Sequence, residues 1–135
     1  MPKLNQYRDD NNGVPYEEWE SSLPSVMAAR ITKYVKRMEN GNFGNSEPVG
    51  SGVSELKINL GPGYRVYYGQ DGDTLVILLG GGSKKRQSRD IADAIERWKI
   101  YKKRKREANR QSKTTHNAKK GDYHGSNKKI QKERC

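Results

Sequence analysis

Five polar residues in the middle of the chain have types and spacing that suit phosphate chemistry. They are Glu55, Lys57, Asn59, Arg65 and Tyr67. In the segment from Val53 to Leu60, Glu55, Lys57 and Asn59 alternate with Leu56, Ile58 and Leu60, the period-2 pattern of a strand with one apolar face. Gly61-Pro62-Gly63 reads as a three-residue turn. On that reading Leu60 faces Tyr64, Asn59 pairs with Arg65, and Lys57 pairs with Tyr67. Paired side chains emerge on one face. A Lys, an Arg, an Asn and a Tyr together could hold a phosphate and stack a base. An ordinary solvated face of an antiparallel sheet has the same pattern.

A second basic group follows. Gly80-Gly81-Gly82 precedes Ser83-Lys84-Lys85-Arg86-Gln87, with Arg89 just beyond. Glycine lets backbone come close to a ligand, and the cations supply charge. The GxxxxGK[ST] spacing is absent, so nucleotide hydrolysis has no support. His116 and His124 lie in the polar C-terminal segment, away from these residues, which argues against a histidine-based nuclease or a triad. Glu55 is a candidate acid with no second carboxylate placed for glycosidase-type work.

Elements must position these groups. Lys3–Arg8 reads as a short strand, and Asp9–Gly13 as a turn. Tyr16, Trp19 and Leu23 mark a short helix. Pro24 opens a second helix with the stripe Met27, Ile31, Tyr34 and Met38, capped at Gly41. Residues 42–52, rich in Gly, Asn, Ser and Pro, read as a loop. A meander of three antiparallel strands follows, with Asp71-Gly72 as a two-residue hairpin signal. Thr74–Leu79 is apolar on both faces, and the three glycines are expected to end it. Ser88 begins a last helix with Ile91, Ile95 and Trp98 on its buried side, running into Lys102–Arg106 and fraying beyond. The expected fold is α+β: a small antiparallel sheet, two N-terminal helices on one face and a C-terminal helix.

The chain has 135 residues, 32% of them charged, and a net charge of +11. The charge is uneven. Residues 1–100 hold 14 basic and 13 acidic side chains, and residues 101–135 hold 13 and 3. The expected organisation is therefore a domain over 1–106 and a basic, disordered tail over 107–135, too poor in apolar residues to fold by itself. A polycation of this kind favours nucleic acid by releasing counterions, or serves only as a solubilising tail. One cysteine, Cys135, excludes a disulfide framework and a multi-cysteine zinc site. No apolar run nears the roughly 18 residues a membrane span needs. Met-Pro-Lys-Leu-Asn carries no apolar leader segment, so a cytoplasmic location is expected.

The stretch GSGVSELKINLGPGYRVYYG (50–69), LLGGGSKKRQ (78–87) and RDI (89–91) resembles the RelE/ParE toxin superfamily, nearest its phage-derived, HigB-like addiction module killer branch. Glu18-Trp19, Ala29-Arg30-Ile31 and Gly41-Asn42-Phe43-Gly44 match the same branch. The resemblance covers about residues 10–100. It implies a RelE-like fold and the toxin of a type II toxin–antitoxin system. Such a toxin is a ribosome-dependent mRNA endonuclease that works without metal or other cofactor. The 2′-hydroxyl attacks the adjacent phosphate. The implied partners are a helix-turn-helix antitoxin, the ribosome and mRNA, and no membrane.

Matched by motif, Lys57 is the strand lysine acting as base or charge stabiliser, and Arg65 the arginine on the scissile phosphate. Lys84, Lys85 and Arg86 fill the basic loop, with the catalytic one among them left open. Asn59, Tyr67, Arg86 and Arg89 are the implied RNA-binding residues. The tyrosine or histidine that ribonuclease members often place near the start of the last helix is absent from Gln87-Ser88-Arg89-Asp90. Tyr67 is then the candidate stacking group. The ParE branch shares the fold but targets DNA gyrase without cutting RNA, so a non-enzymatic binding protein is the alternative.

Overall fold

The computed structural model describes residues 2–121, with side chains over 2–110. The expected tail beyond Gly121, with His124 and Cys135, lies outside the described residues, as does the side chain of His116. The chain divides into compact units between Tyr101 and Lys102. The first unit is an α+β domain. The second continues its last helix as far as Gly121. No described helix is long and apolar enough to cross a membrane.

Strand β1 (Lys3–Gln6) leads into helix α1 (Pro15–Ser21) and helix α2 (Ser25–Lys36). Pro15 starts α1 where its missing N–H costs nothing, and Glu17 and Glu18 meet the positive end of the helix dipole. Glu20 ties the two helices together. It accepts hydrogen bonds from the Tyr16 hydroxyl at 2.8 Å and the Thr32 hydroxyl at 2.9 Å. Pro24 flanks the start of α2, and a 3₁₀ turn at Arg37–Asn40 ends on Gly41 in the left-handed conformation, φ 82°. That closure is the one the sequence predicts.

Four more strands complete a five-stranded sheet of order β1-β5-β4-β3-β2: β2 (Ser46–Gly50), β3 (Val53–Ile58), β4 (Tyr64–Asp71) and β5 (Leu75–Ser83). The sheet is mixed, because β1 runs parallel to β5. Strand β2 lies inside the segment expected to be a loop. It is an edge strand, so Pro48 costs no ladder hydrogen bond on its open side, and a bulge between Pro48 and Gly50 absorbs the glycine. The β4–β5 hairpin forms at the expected place. Asp71 pairs with Leu75, so the loop is Gly72–Thr74 rather than two residues.

The β3–β4 register also departs from expectation. Ile58 faces Tyr64, Lys57 faces Arg65 and Glu55 faces Tyr67. The connection is thus Asn59–Gly63, a longer loop folded on itself by a hydrogen bond from Gly63 N–H to the Leu60 carbonyl at 2.9 Å. The shift is two residues, so each side chain keeps its face while its partner changes.

Two cores lie on opposite faces of the sheet. Leu56, Ile58, Val66, Tyr68, Val76 and Leu78 pack with Ile31 and Val35 of α2 and with Met38. The other face carries Val53, Tyr67, Ile77 and Leu79. Ala94 and Trp98 of helix α3 (Gln87–Gly121) cover it. The helices therefore do not share one face, and the side expected to be solvated is roofed by the first turns of α3. Nor does α3 stop near Arg106. Residues 107–120 contain no glycine or proline, so nothing local ends it before Gly121.

The three glycines do not end β5. The strand runs through them after a bulge at Leu79, which leaves Tyr67 opposite Gly80 and Tyr68 opposite Leu78. Arg97 Nη1 donates to the carbonyl of the bulged Leu79 at 2.9 Å. The glycines admit the protein's own side chains instead of a ligand. A Cβ at Gly81 would strike the Trp19 ring, one at Gly82 the Asp90 carboxylate, and one at Gly80 would lie 2.7 Å from Arg97 Nη1. Gly81→Ala should therefore cost about 1–3 kcal/mol by overpacking. A chemical melt no different from wild type would show that Trp19 yields freely.

Candidate functional site

The end of β3, the start of β4 and the end of β5 meet at one end of the sheet, because antiparallel neighbours reverse direction. Lys57 and Arg65 are direct cross-strand partners there, and Tyr64 faces Ser83, the residue before Lys84. The Lys84 N–H donates to the Gly63 carbonyl at 2.9 Å, tying the basic segment to the β3–β4 loop. Lys84–Arg86 form a single 3₁₀ turn leading into α3. Lys84, Lys85, Arg86 and Arg89 are exposed, and so is Asn59 in the β3–β4 loop. Lys57 is half-buried, and its Nζ donates to Glu47 Oε2 of the edge strand at 2.8 Å. That ammonium holds the Glu47 carboxyl below its ordinary value, through the hydrogen bond first and charge second.

Arg65 and Tyr67 depart from expectation. Neither faces solvent: Arg65 is 8% exposed and Tyr67 1%. Both lie beneath the start of α3. Arg65 Nε lies 3.5 Å from Glu55 Oε1, a carboxylate that is itself buried. Gln87 Nε2 of α3 donates to the same Glu55 oxygen at 3.1 Å. Among the described residues the Tyr67 hydroxyl and Arg65 Nε have no hydrogen-bond partner. Burial raises the Tyr67 hydroxyl far above its usual range. The charges of Glu55 and Asp90 add to that, and Arg65 opposes it. Tyr67 is therefore a neutral core phenol in the second apolar cluster, packed where a base cannot stack on it.

Asp90 sits at the same junction. Burial raises its carboxyl and Asp93 adds to the rise, while Arg86, Arg97 and Arg89 pull the other way. The basic segment thus has a partly neutralising acid behind it.

The exposed part of the site is an array of ammonium and guanidinium groups with one side-chain amide. Such an array can bind phosphates and stabilise charge developing on them. Among the described residues no group of three or more His, Cys, Asp or Glu is placed to hold a metal ion. Sequence reasoning missed a neighbouring set, Tyr34, Arg37, Asn42 and Asn45, which line a cleft with Lys57 and Asn59. Their one local signal is that Tyr34 and Arg37 are three apart on a helix, so the two side chains meet.

No family model matches the chain. An uncharacterized protein of Haemophilus influenzae (strain ATCC 51907 / DSM 11121 / KW20 / Rd) is 44% identical over 82 residues, which make up 60% of this chain and 83% of that protein. The chain belongs to that protein's family. In this member of it, Lys84, Lys85, Arg86 and Arg89 are exposed cations at the sheet end beside the half-buried Lys57, and the buried pair Arg65–Glu55 forms the floor beneath them.

Proposed function

We propose that the protein is the toxin of a type II toxin–antitoxin pair, with a RelE-like fold, that cuts mRNA on the ribosome. The reading is carried by one observation. Three strand ends bring Lys57 and the Lys84–Arg86 turn together around a loop that presents Asn59. The HigB-like resemblance of residues 50–69, 78–87 and 89–91, and the order of two helices ahead of the antiparallel strands, support it as well.

The chemistry follows from the array. An RNA 2′-hydroxyl attacks the adjacent phosphorus, and the bond to the 5′-oxygen of the next nucleotide breaks. The leaving oxygen takes up a proton. Lys84, Lys85 and Arg86 stabilise the negative charge that builds on the phosphate oxygens. Lys57, released from Glu47, takes the 2′-hydroxyl proton as a neutral amine or serves as a further cation as the ammonium. Arg65 acts by position: its pairing with Glu55, and through Glu55 with Gln87, sets the start of α3 and hence the basic turn before it. The tail adds charge that favours ribosomal RNA.

Induced expression with mapping of mRNA 5′ ends tests this. Codon-phased cuts in translated regions are the expected result. The double variant Lys84→Ala/Lys85→Ala, at equal expression, should lower cleavage by about a hundredfold or more. A helix-turn-helix gene beside this one would agree with the pairing.

The burial of Arg65 and Tyr67 favours a second reading, because it removes two expected RNA contacts from the surface. In that reading the protein is a non-enzymatic binder, either a gyrase inhibitor or a nucleic-acid-binding protein. Growth arrest with DNA damage and intact mRNA would establish it and overturn the first.

A further inference from the structure

Beside Lys57 the domain opens into a cleft of about 200 Å³. Three separate segments wall it: Tyr34 and Arg37 from the end of α2 and the turn after it, Asn42 and Asn45 from the loop before β2, and Lys57 and Asn59 from the end of β3. The Arg37 guanidinium carbon lies 4.7 Å above the centre of the Tyr34 ring. That contact holds the cation in place while Arg37 remains exposed. The Asn42 side-chain oxygen accepts the Gly44 N–H at 3.0 Å, which fixes the loop and leaves the amide NH₂ as its donor end. The Lys57 N–H donates to the Asn45 carbonyl at 2.9 Å, joining the loop to β3. Asn45 and Asn59 are exposed.

The composition of these walls restricts the ligand. Arg37, joined by Lys57 once it leaves Glu47, calls for an anion. Three side-chain amides exceed what a bare anion needs: Asn45 and Asn59 each offer a donor and an acceptor edge and Asn42 its donor end, which suits the edge of a base. A guanidinium backed by an aromatic ring presents a further face on which a base can stack. The volume suits a single base.

We propose that this cleft is a ribonucleotide subsite. It takes one base of a single-stranded RNA against Arg37 and the asparagine amides, and Lys57, exchanging Glu47 for the RNA, takes the adjoining phosphate. The inference rests on the RNA reading above and deepens it, by naming the residues that select a base next to the cleavage cations.

The test uses the full-length protein titrated with AMP, GMP, CMP and UMP, and separately with inorganic phosphate. Amide resonances are followed by NMR, including the side-chain NH₂ groups of asparagine. Shifts should map to Arg37, Asn42, Asn45 and Asn59, the four nucleotides should differ in affinity, and phosphate should bind more weakly than the best of them. Arg37→Lys keeps the charge and loses the planar group. It should weaken the best nucleotide by about tenfold, one lost stacking contact, and leave phosphate binding unchanged. Equal responses to phosphate and all four nucleotides would mean an anion site without base selection and would overturn the proposal. So would shifts confined to other residues, or no shifts at all. Nucleotide binding in this cleft with no mRNA cleavage in cells would sink the nuclease reading alone. Codon-phased cleavage without binding here would sink the subsite alone.

Discussion

Arg65→Ala should destabilise the domain by about 3–5 kcal/mol, since it strands the Glu55 carboxylate in a buried site where, among the described residues, Gln87 is its remaining hydrogen-bond partner. In a domain of this size that lowers the thermal midpoint by more than about 10 °C. From the strand pattern alone, Arg65 belongs on a solvated face, and its loss would touch function without touching the fold. Its burial reverses that expectation. A loss of growth arrest in Arg65→Ala then reports depletion of folded protein, not a missing phosphate contact. The double variant Arg65→Met/Glu55→Leu separates the two effects. It removes both charges at similar volume, so stability should return to near wild type. A melt of Arg65→Ala that matches wild type would show that the Arg65–Glu55 pair is open to water.

Leu56→Ala should cost about 2–5 kcal/mol through a cavity beneath α2. Leu56 is 1% exposed, faces Val66 across the ladder and belongs to the cluster that includes Ile31 and Met38. In urea the midpoint should fall with the slope unchanged, because the folded state keeps its extent. An unaltered midpoint would mean that the strand faces are inverted. Leu60→Ala, only partly buried in the loop, should cost less.

Local chemistry made much of this fold legible. Pro24 and Gly41 bracket a helix because one lacks a useful N–H and the other tolerates positive φ. The alternation of Leu56 and Ile58 with Glu55 and Lys57 assigns faces, and those faces stand. What remained hidden depends on other parts of the chain. The stripe Ile91, Ile95 and Trp98 shows that α3 has an apolar side, yet nothing in it says which sheet face it covers. That choice decides whether Arg65 and Tyr67 are ligands or core. Strand β2 was hidden because an edge strand can use residues that elsewhere signal a loop. The purpose of the β5 glycines was hidden because they admit Trp19, far away in sequence, and Asp90, from a helix whose placement the sequence does not reveal. At the site, the exposed basic turn was legible from its charge. The Arg37 cleft was not, because its walls converge only after the sheet has formed.

The parallel pairing of β1 with β5 also sets an order of events during synthesis. Lys3 pairs with Leu75 and Gln6 with Leu78, so the first strand made has no partner until most of the domain has been translated. Local hairpins such as β4–β5 close early, while this contact must wait and carries the largest loop-closure cost in the sheet. A nascent chain therefore holds β4 and β5 together before its edge is covered. A ribosome stalled before residue 75 would leave β1 unpaired, exposing a strand that another chain could take up.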